Sequence, residues 1–318
     1  MQPCAVCRST ASTRAWLRVS PDQWATRLGR AGGRSTWVVC RDCGLVYQSP
    51  RPSELTASLY EGGGYHAAAG GVPGDYVRYS MRRSRDALRW GLTAGRLDVP
   101  GRALDIGCGV GGALVALRER GWSVCGVEPD PSLSAHARRE FALDARTGMF
   151  DAATVPEVGQ FDFVFASHVW EHLDDPVAIT RDAGRVLAPG GVLMLVVPTF
   201  RHSRANAWHA FKSPHNFVFT DVSLGNVLGR AGFEPVDHTF RSGADAELWM
   251  VARRGGSEPG LKREAPATVQ REIATVPLRL PLGLPGRARA HTSVLLTDPR
   301  DFARRARRRL RTLSRRRP

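Results

Sequence analysis

The segment Ala103-Leu104-Asp105-Ile106-Gly107-Cys108-Gly109-Val110-Gly111-Gly112 constrains the fold more than any other stretch of this chain. Its first four residues read as a short buried strand, glycines stop that strand, and a helical pattern follows from about 111 to 120. A strand that turns into a helix through glycines opens a βα unit, and the chain goes on repeating that unit. Residues 124–127 form the next strand, ending in Glu128. Asp130-Pro131 then starts a helix with a capping carboxylate and a proline in the first turn. Residues 161–166 are another apolar strand, and Asp175-Pro176 repeats the helix start. Ala188-Pro189-Gly190-Gly191 stops that helix, and 191–197 is almost wholly apolar, as in a parallel strand covered on both faces. A helix over 221–231 ends at Gly232. Strands over 234–240 and 246–252 follow, joined by a link too short for a parallel crossover and suited to an antiparallel hairpin.

Glycines at 107, 109 and 112 let the backbone approach a bound nucleoside where a Cβ would collide, and dinucleotide enzymes use the same spacing. Asp105 distinguishes the two ligand classes. A carboxylate at a buried strand end needs a partner. A methionine-type ammonium and sulfonium would supply one, whereas a pyrophosphate would be repelled. Glu128, 16 residues beyond Gly112, suits a carboxylate that accepts ribose hydroxyls in either class. The plainer alternative is an ordinary βα loop with solvent-facing acids.

Residues 104–112 resemble motif I of the class I S-adenosylmethionine (SAM)-dependent methyltransferases. Gly126-Val127-Glu128-Pro129-Asp130 is similar to their second motif. Phe161-Asp162-Phe163-Val164-Phe165-Ala166 with Glu171-His172-Leu173 is similar to their fourth-strand motif, and Arg185-Val186-Leu187-Ala188-Pro189-Gly190-Gly191 to the turn before strand five. The resemblance covers about 101–254. It implies an α/β fold, a Rossmann-like seven-stranded methyltransferase sheet with an antiparallel last strand. It also implies that Asp105, Gly107, Gly109, Gly111, Glu128, Pro129 and His168 hold SAM. Many relatives carry an acidic residue just after a glycine following strand three. Here Gly148 is followed by Met149 and Phe150, with Asp151 late, so adenine would lie against Met149 or Phe150.

Four of the six cysteines form two Cys-x-x-Cys pairs, Cys4/Cys7 and Cys40/Cys43, a donor set suited to a tetrahedral structural zinc. The 32 residues between the pairs exceed the common spacing, so they would have to form their own hairpin. Incidental thiols are the alternative. Neither pair opens a helix in a βα context, which argues against a redox pair. Residues 1–52 resemble the N-terminal zinc module of one methyltransferase subgroup through Cys43-Gly44-Leu45-Val46-Tyr47 and Pro50-Arg51-Pro52, followed by Leu59-Tyr60 and Gly64-Tyr65-His66. In that subgroup such aromatics line the cofactor entrance, which adds Tyr65 to the cofactor set. Cys108 and Cys125 read as buried core thiols.

Candidate bases stand near the carboxyl ends of strands four and five. His168-Val169-Trp170-Glu171-His172 has the letters of an inverzincin motif, but it follows a strand and not a helix start, so protease chemistry is not expected. Related O-methyltransferases bind a divalent ion near a comparable Glu-His pair. Glu171 and His172 are therefore catalytic candidates, or else they order the loop. Pro214-His215-Asn216-Phe217-Val218-Phe219-Thr220 resembles a stretch before the late helix of the family, and His215 is the second candidate base or a loop-ordering residue. Phe200, Trp208 and Phe211 shape an acceptor pocket or pack the cap.

The remaining composition limits partners. The net charge is +15, but residues 301–318 hold nine arginines against one aspartate, leaving +7 for everything else. No run of about 18 apolar residues appears, and Met-Gln-Pro-Cys is not a signal-peptide start, so a cytoplasmic protein with reduced thiols is expected. The chain divides into a zinc-binding module (1–52), a helical cap or linker (53–98), the methyltransferase domain (99–254) and a basic extension (255–318), expected to be partly disordered. In that extension Phe302, Leu310 and Leu313 are sparse among arginines, which suits a solvated tail, an anionic membrane surface or RNA. The expectation is methyl transfer from SAM to oxygen or carbon of a small-molecule or sugar/glycan-type acceptor. The alternative is a nucleic-acid-binding protein or RNA methyltransferase using the zinc module and tail; a SAM-binding relic without turnover is a third possibility.

Overall fold

The computed structural model describes residues 2–14, 35–52, 60, 74–151, 159–203, 209–242, 246–255 and 260–275. Tyr65, Trp208 and the arginine-rich tail from 276 onward lie outside the described residues.

The short strands β1 (Ser12–Arg14), β2 (Trp37–Cys40) and β3 (Val46–Gln48) form an N-terminal sheet, and helix α1 (Gly74–Ala94) follows. The βα units then run β4 (Arg102–Ile106), α2 (Gly112–Arg118), β5 (Ser123–Glu128), α3 (Pro131–Phe141), β6 (Ala145–Thr147), β7 (Phe161–Ser167), a 3-10 turn (Trp170–His172), α4 (Pro176–Arg185) and β8 (Leu187–Pro198). After β9 (Phe217–Val218) come α5 (Asp221–Arg230), β10 (Phe233–Arg241), β11 (Glu247–Arg254) and α6 (Pro266–Thr275). The large sheet has seven strands in the order β10-β11-β8-β7-β4-β5-β6. β4 to β8 are parallel, and β11, last in the chain, runs antiparallel between β8 and β10. This is the expected Rossmann-like sheet with its antiparallel last strand.

Alternation along the strands divides the core into two layers, since successive side chains of a strand face opposite sides. Phe163, Phe165, Val192, Met194, Trp249 and Val251 pack with Ala87 and Leu88 of α1 and Ala113 and Leu117 of α2. Val164, Ala166, Leu193, Leu195, Leu248 and Met250 pack on the other face with Val177 and Ala183 of α4 and Leu224 and Leu228 of α5. The helix starts follow the expected chemistry. Asp130 accepts from the Ser132 and Leu133 N–H groups at 2.8 and 3.3 Å, and Asp175 from Val177 and Ala178 at 3.1 and 3.0 Å, each followed by proline. β8 begins earlier than 191. Leu187 already pairs with Phe161, and a register shift before Phe163 absorbs the extra residues through Pro189-Gly190, so that turn interrupts the ladder without ending it.

The N-terminal sheet is not confined to 1–52. Its order is β1-β2-β3-β9, so a strand from beyond residue 200 completes it. Phe200 and Phe211 pack there with Trp37, Val39, Val218, Val269 and Ile273, which makes them packing residues of this junction. No helix among the described residues is long and apolar enough to cross a membrane.

Candidate active site

The carboxyl ends of β4, β5 and β7 open onto one cavity of about 720 Å³, within the range of small-molecule sites. Asp105, Gly107, Gly109, Glu128, Pro129, Met149, Phe150 and His168 all line it. Gly111 does not. Its φ of +82° caps α2, and a Cβ there would stand 2.4 Å from Leu143 Cδ1, so this glycine serves helix packing. Gly109 is different: with φ +54° and nothing within 4 Å of a notional Cβ, it leaves open a space that any other residue would fill.

Glu128 ties strand end to glycine loop. Its Oε2 accepts the Gly109 N–H at 2.8 Å and its Oε1 the Asp130 N–H at 2.9 Å, and each oxygen keeps a further lone pair for a ligand hydroxyl. Burial pushes its carboxyl up to about 7 against the pull of those two donors. Asp105 is buried and has no hydrogen bond among the described residues. Burial, with the Glu128 charge behind it, holds its carboxyl well above the usual carboxylate range. A buried, unpartnered carboxylate at a cavity wall fits a cationic ligand and opposes an anionic one. The residues present therefore fit SAM, whose ammonium and sulfonium supply the missing charge.

The family comparison agrees. The sequence pattern of the methyltransferase domain family matches residues 76–238, just over half of the chain.

The chain belongs to that family.

It is a SAM-dependent methyltransferase. It is 31% identical to trans-aconitate 2-methyltransferase of Methylobacterium radiotolerans over 57% of this chain and 71% of that enzyme. A probable S-adenosylmethionine-dependent methyltransferase of Mycolicibacterium smegmatis is 32% identical over 55% of this chain and 65% of its own length. The ubiquinone biosynthesis O-methyltransferase of Xanthomonas oryzae is 33% identical over 34% of this chain, which spans about half (48%) of that relative. Among solved structures, magnesium protoporphyrin IX methyltransferase of Synechocystis, with S-adenosylhomocysteine bound, aligns at a TM-score of 0.48 and 16% identity over 64% of this chain and 99% of its own.

The far wall of the methyltransferase cavity is rich in imidazole. His172 and His215 both line it, together with His209, Lys212 and Tyr60. The His172 Nδ1 lies 3.0 Å from the Pro214 carbonyl and so carries the proton, leaving Nε2 as an acceptor 3.7 Å from Glu171 Oε1 and 3.2 Å from the Tyr60 hydroxyl. The His215 Nδ1 likewise donates to the Ala210 carbonyl at 2.8 Å. Burial pushes His172 down to about 4 and holds His215 well below the usual imidazole range, so both rings are neutral. Glu171 is fully buried, its two carboxylate oxygens accept no hydrogen bond of good geometry among the described residues, and burial pushes it up to about 8.

His168 sits at φ +59°, rare for a residue with a side chain, between Glu171 Oε1 and Glu247 Oε1 at 3.3 Å each. Burial keeps it neutral too. Glu247, at the start of β11, also accepts the Trp249 indole N–H at 2.8 Å and pairs with Arg83 of α1. Tyr76, Tyr79, Ser80 and Arg83 place one face of α1 along the cavity. Their i, i+3, i+4, i+7 spacing was the available signal, but a polar helical face reads equally as a solvated one.

Among the described residues, two groups could hold a metal ion. The sulfurs of Cys4, Cys7, Cys40 and Cys43 lie within 4.8 Å of one another, with Cys4–Cys43 at 3.5 Å and Cys7–Cys40 at 3.4 Å. A zinc–sulfur bond of about 2.3 Å gives a tetrahedral edge of about 3.8 Å. The cluster is thus far too open for disulfides and close to the size zinc requires. The donor atoms of Glu171, His172 and His215 also lie within 4.8 Å of one another.

Proposed function

We propose that the chain transfers the methyl group of SAM to an oxygen of a small-molecule acceptor, with His172 taking the acceptor's proton. The observation that carries this reading is the fixed tautomer of His172. Its Nδ1–H is committed to Pro214 O, which leaves Nε2 as the basic nitrogen of a ring that lines the same cavity as Asp105 and Glu128. Asp105 holds the ammonium end of SAM and Glu128 the ribose, while Gly107 and Gly109 admit the nucleoside and Met149 and Phe150 bound it. Bound SAM supplies an electrophilic methyl for in-line displacement. The protein then needs only to align the acceptor and accept its proton. Glu171 stabilises the imidazolium that forms, and Tyr60 orients the ring. The O-methyltransferase relatives support oxygen as the atom attacked. The resemblance of the N-terminal module favours sugar and natural-product hydroxyls. Its four cysteines are read as a structural zinc site.

The test is turnover of SAM to S-adenosylhomocysteine against a panel of hydroxylated small molecules. On the accepted substrate, His172→Asn should lower kcat by about 10²–10⁴ with SAM affinity unchanged. Full turnover in that variant would refute the base assignment. The closeness of the Glu171, His172 and His215 donor atoms favours a second reading, in which these three residues hold a divalent ion that lowers the acceptor's pKa. Turnover that survives EDTA would reject it.

A further inference from the structure

A buried amide connects the N-terminal cysteine module to the imidazole wall. Gln48, the last residue of β3, is wholly buried and does not line the cavity. Its Nε2 donates toward three carbonyls of one turn: His215 O at 2.6 Å, Ser213 O at 2.8 Å and Lys212 O at 3.4 Å. Its backbone N–H donates to Asn216 O at 2.9 Å, just before β9 joins β3. The same turn holds the other half of the wall. Asn216 donates its backbone N–H to Glu171 O at 2.6 Å and its side-chain amide to His172 O and Leu173 O at 2.9 and 3.0 Å, while Pro214 O fixes His172 Nδ1.

The module has little freedom to yield. A Cβ on Gly44 would stand 2.7 Å from Glu264 Cβ, and Arg201 ties Glu264 and Glu272 to Asp221 at the start of α5. Converging hydrogen bonds to a buried amide are costly to leave unmade, so the turn must follow Gln48.

We infer that Gln48 is a positioning residue of the methyl-transfer site: the module supports the acceptor-side wall from behind, and this amide sets where His215 and His172 stand. The inference rests on the proposal that this wall receives the acceptor. Its test needs no acceptor.

The full chain labelled with [15N]histidine gives ring nitrogen spectra in which His172 and His215, two of nine histidines, are assigned by His172→Gln and His215→Gln. Gln48→Met keeps the volume and removes the donor. It should abolish the hydrogen-bonded Nδ1–H signals of both rings and mix their tautomers, with SAM affinity by calorimetry within about twofold of wild type. Leu117→Ala, buried on the opposite face of the sheet, is the control for stability loss alone and should leave both rings unchanged. Gln48→Asn retains an amide too short to span the turn and should show the same ring changes in smaller degree. Unchanged rings in Gln48→Met, or equal ring changes in Leu117→Ala, would overturn the inference. Changed rings together with full turnover in His172→Asn would instead overturn the base assignment and leave the positioning intact.

Discussion

Two glycines of one loop should respond to the same substitution in opposite ways. Gly109→Ala places a methyl in empty space at the cavity wall, so its cost to the empty protein is only that of a left-handed alanine, about 1–2 kcal/mol. That corresponds to a fall in Tm of roughly 2–8 °C. The same methyl intrudes where the nucleoside must approach the backbone, and overpacking of about 1–3 kcal/mol predicts a roughly 5- to 150-fold loss of SAM affinity. Gly111→Ala meets Leu143 at 2.4 Å and Ala137 Cβ at 3.3 Å in addition to its φ of +82°. It should lose about 2–5 kcal/mol of stability while its folded fraction binds SAM as wild type does. Thermal unfolding and calorimetric titration of both variants separate the two effects. Wild-type SAM affinity in Gly109→Ala, or a Gly111→Ala fold that is stable but cannot bind, would refute the assignment of the loop.

Other consequences follow from the charges and clusters. Burial raises Glu128 to about 7 and Asp105 also upward, so the empty folded protein retains protons there that the unfolded chain has lost. Stability from these groups therefore falls as pH rises from about 4 through 7. SAM favours their ionised forms, so its affinity should rise between pH 5 and 7 by up to about tenfold per pH unit for each proton released on binding. Calorimetry in buffers of different ionisation enthalpy reads both quantities; a flat affinity over that range would refute it. Arg201→Met leaves Asp221, Glu264 and Glu272 without their shared cation and should cost about 3–5 kcal/mol in thermal unfolding with SAM affinity retained. Metal analysis of the purified chain should find one zinc, lost in Cys43→Ser together with cooperative melting of the N-terminal sheet; zinc retained in that variant would reject the four-cysteine site.

The parts of this fold legible in the sequence are those that local chemistry determines. The glycine stop after Ile106, the Asp-Pro helix starts at 130 and 175, and the apolar run before Pro198 each specify their element without help from distant residues. What stayed hidden depends on pairing across the chain. β9 is two residues long and has no periodicity to read, yet it completes the N-terminal sheet and brings the His215 turn to Gln48. The cavity face of α1 carries Tyr76, Tyr79 and Arg83, residue types that a solvated helix also displays, and only the partner Glu247 of a distant strand shows that Arg83 is turned inward. The paired carboxylates around Arg201 are equally invisible, because Glu264 and Glu272 lie beyond the family's match.

The most direct measurement is calorimetric titration of the chain with SAM, with NADH as control, in the wild type and in Asp105→Ala. The account predicts micromolar SAM binding, no NADH binding, and loss of SAM binding in the variant, because the buried wall then lacks the carboxylate that meets the ligand's positive charge. Failure of the wild type to bind SAM, or equal affinity in Asp105→Ala, would contradict it.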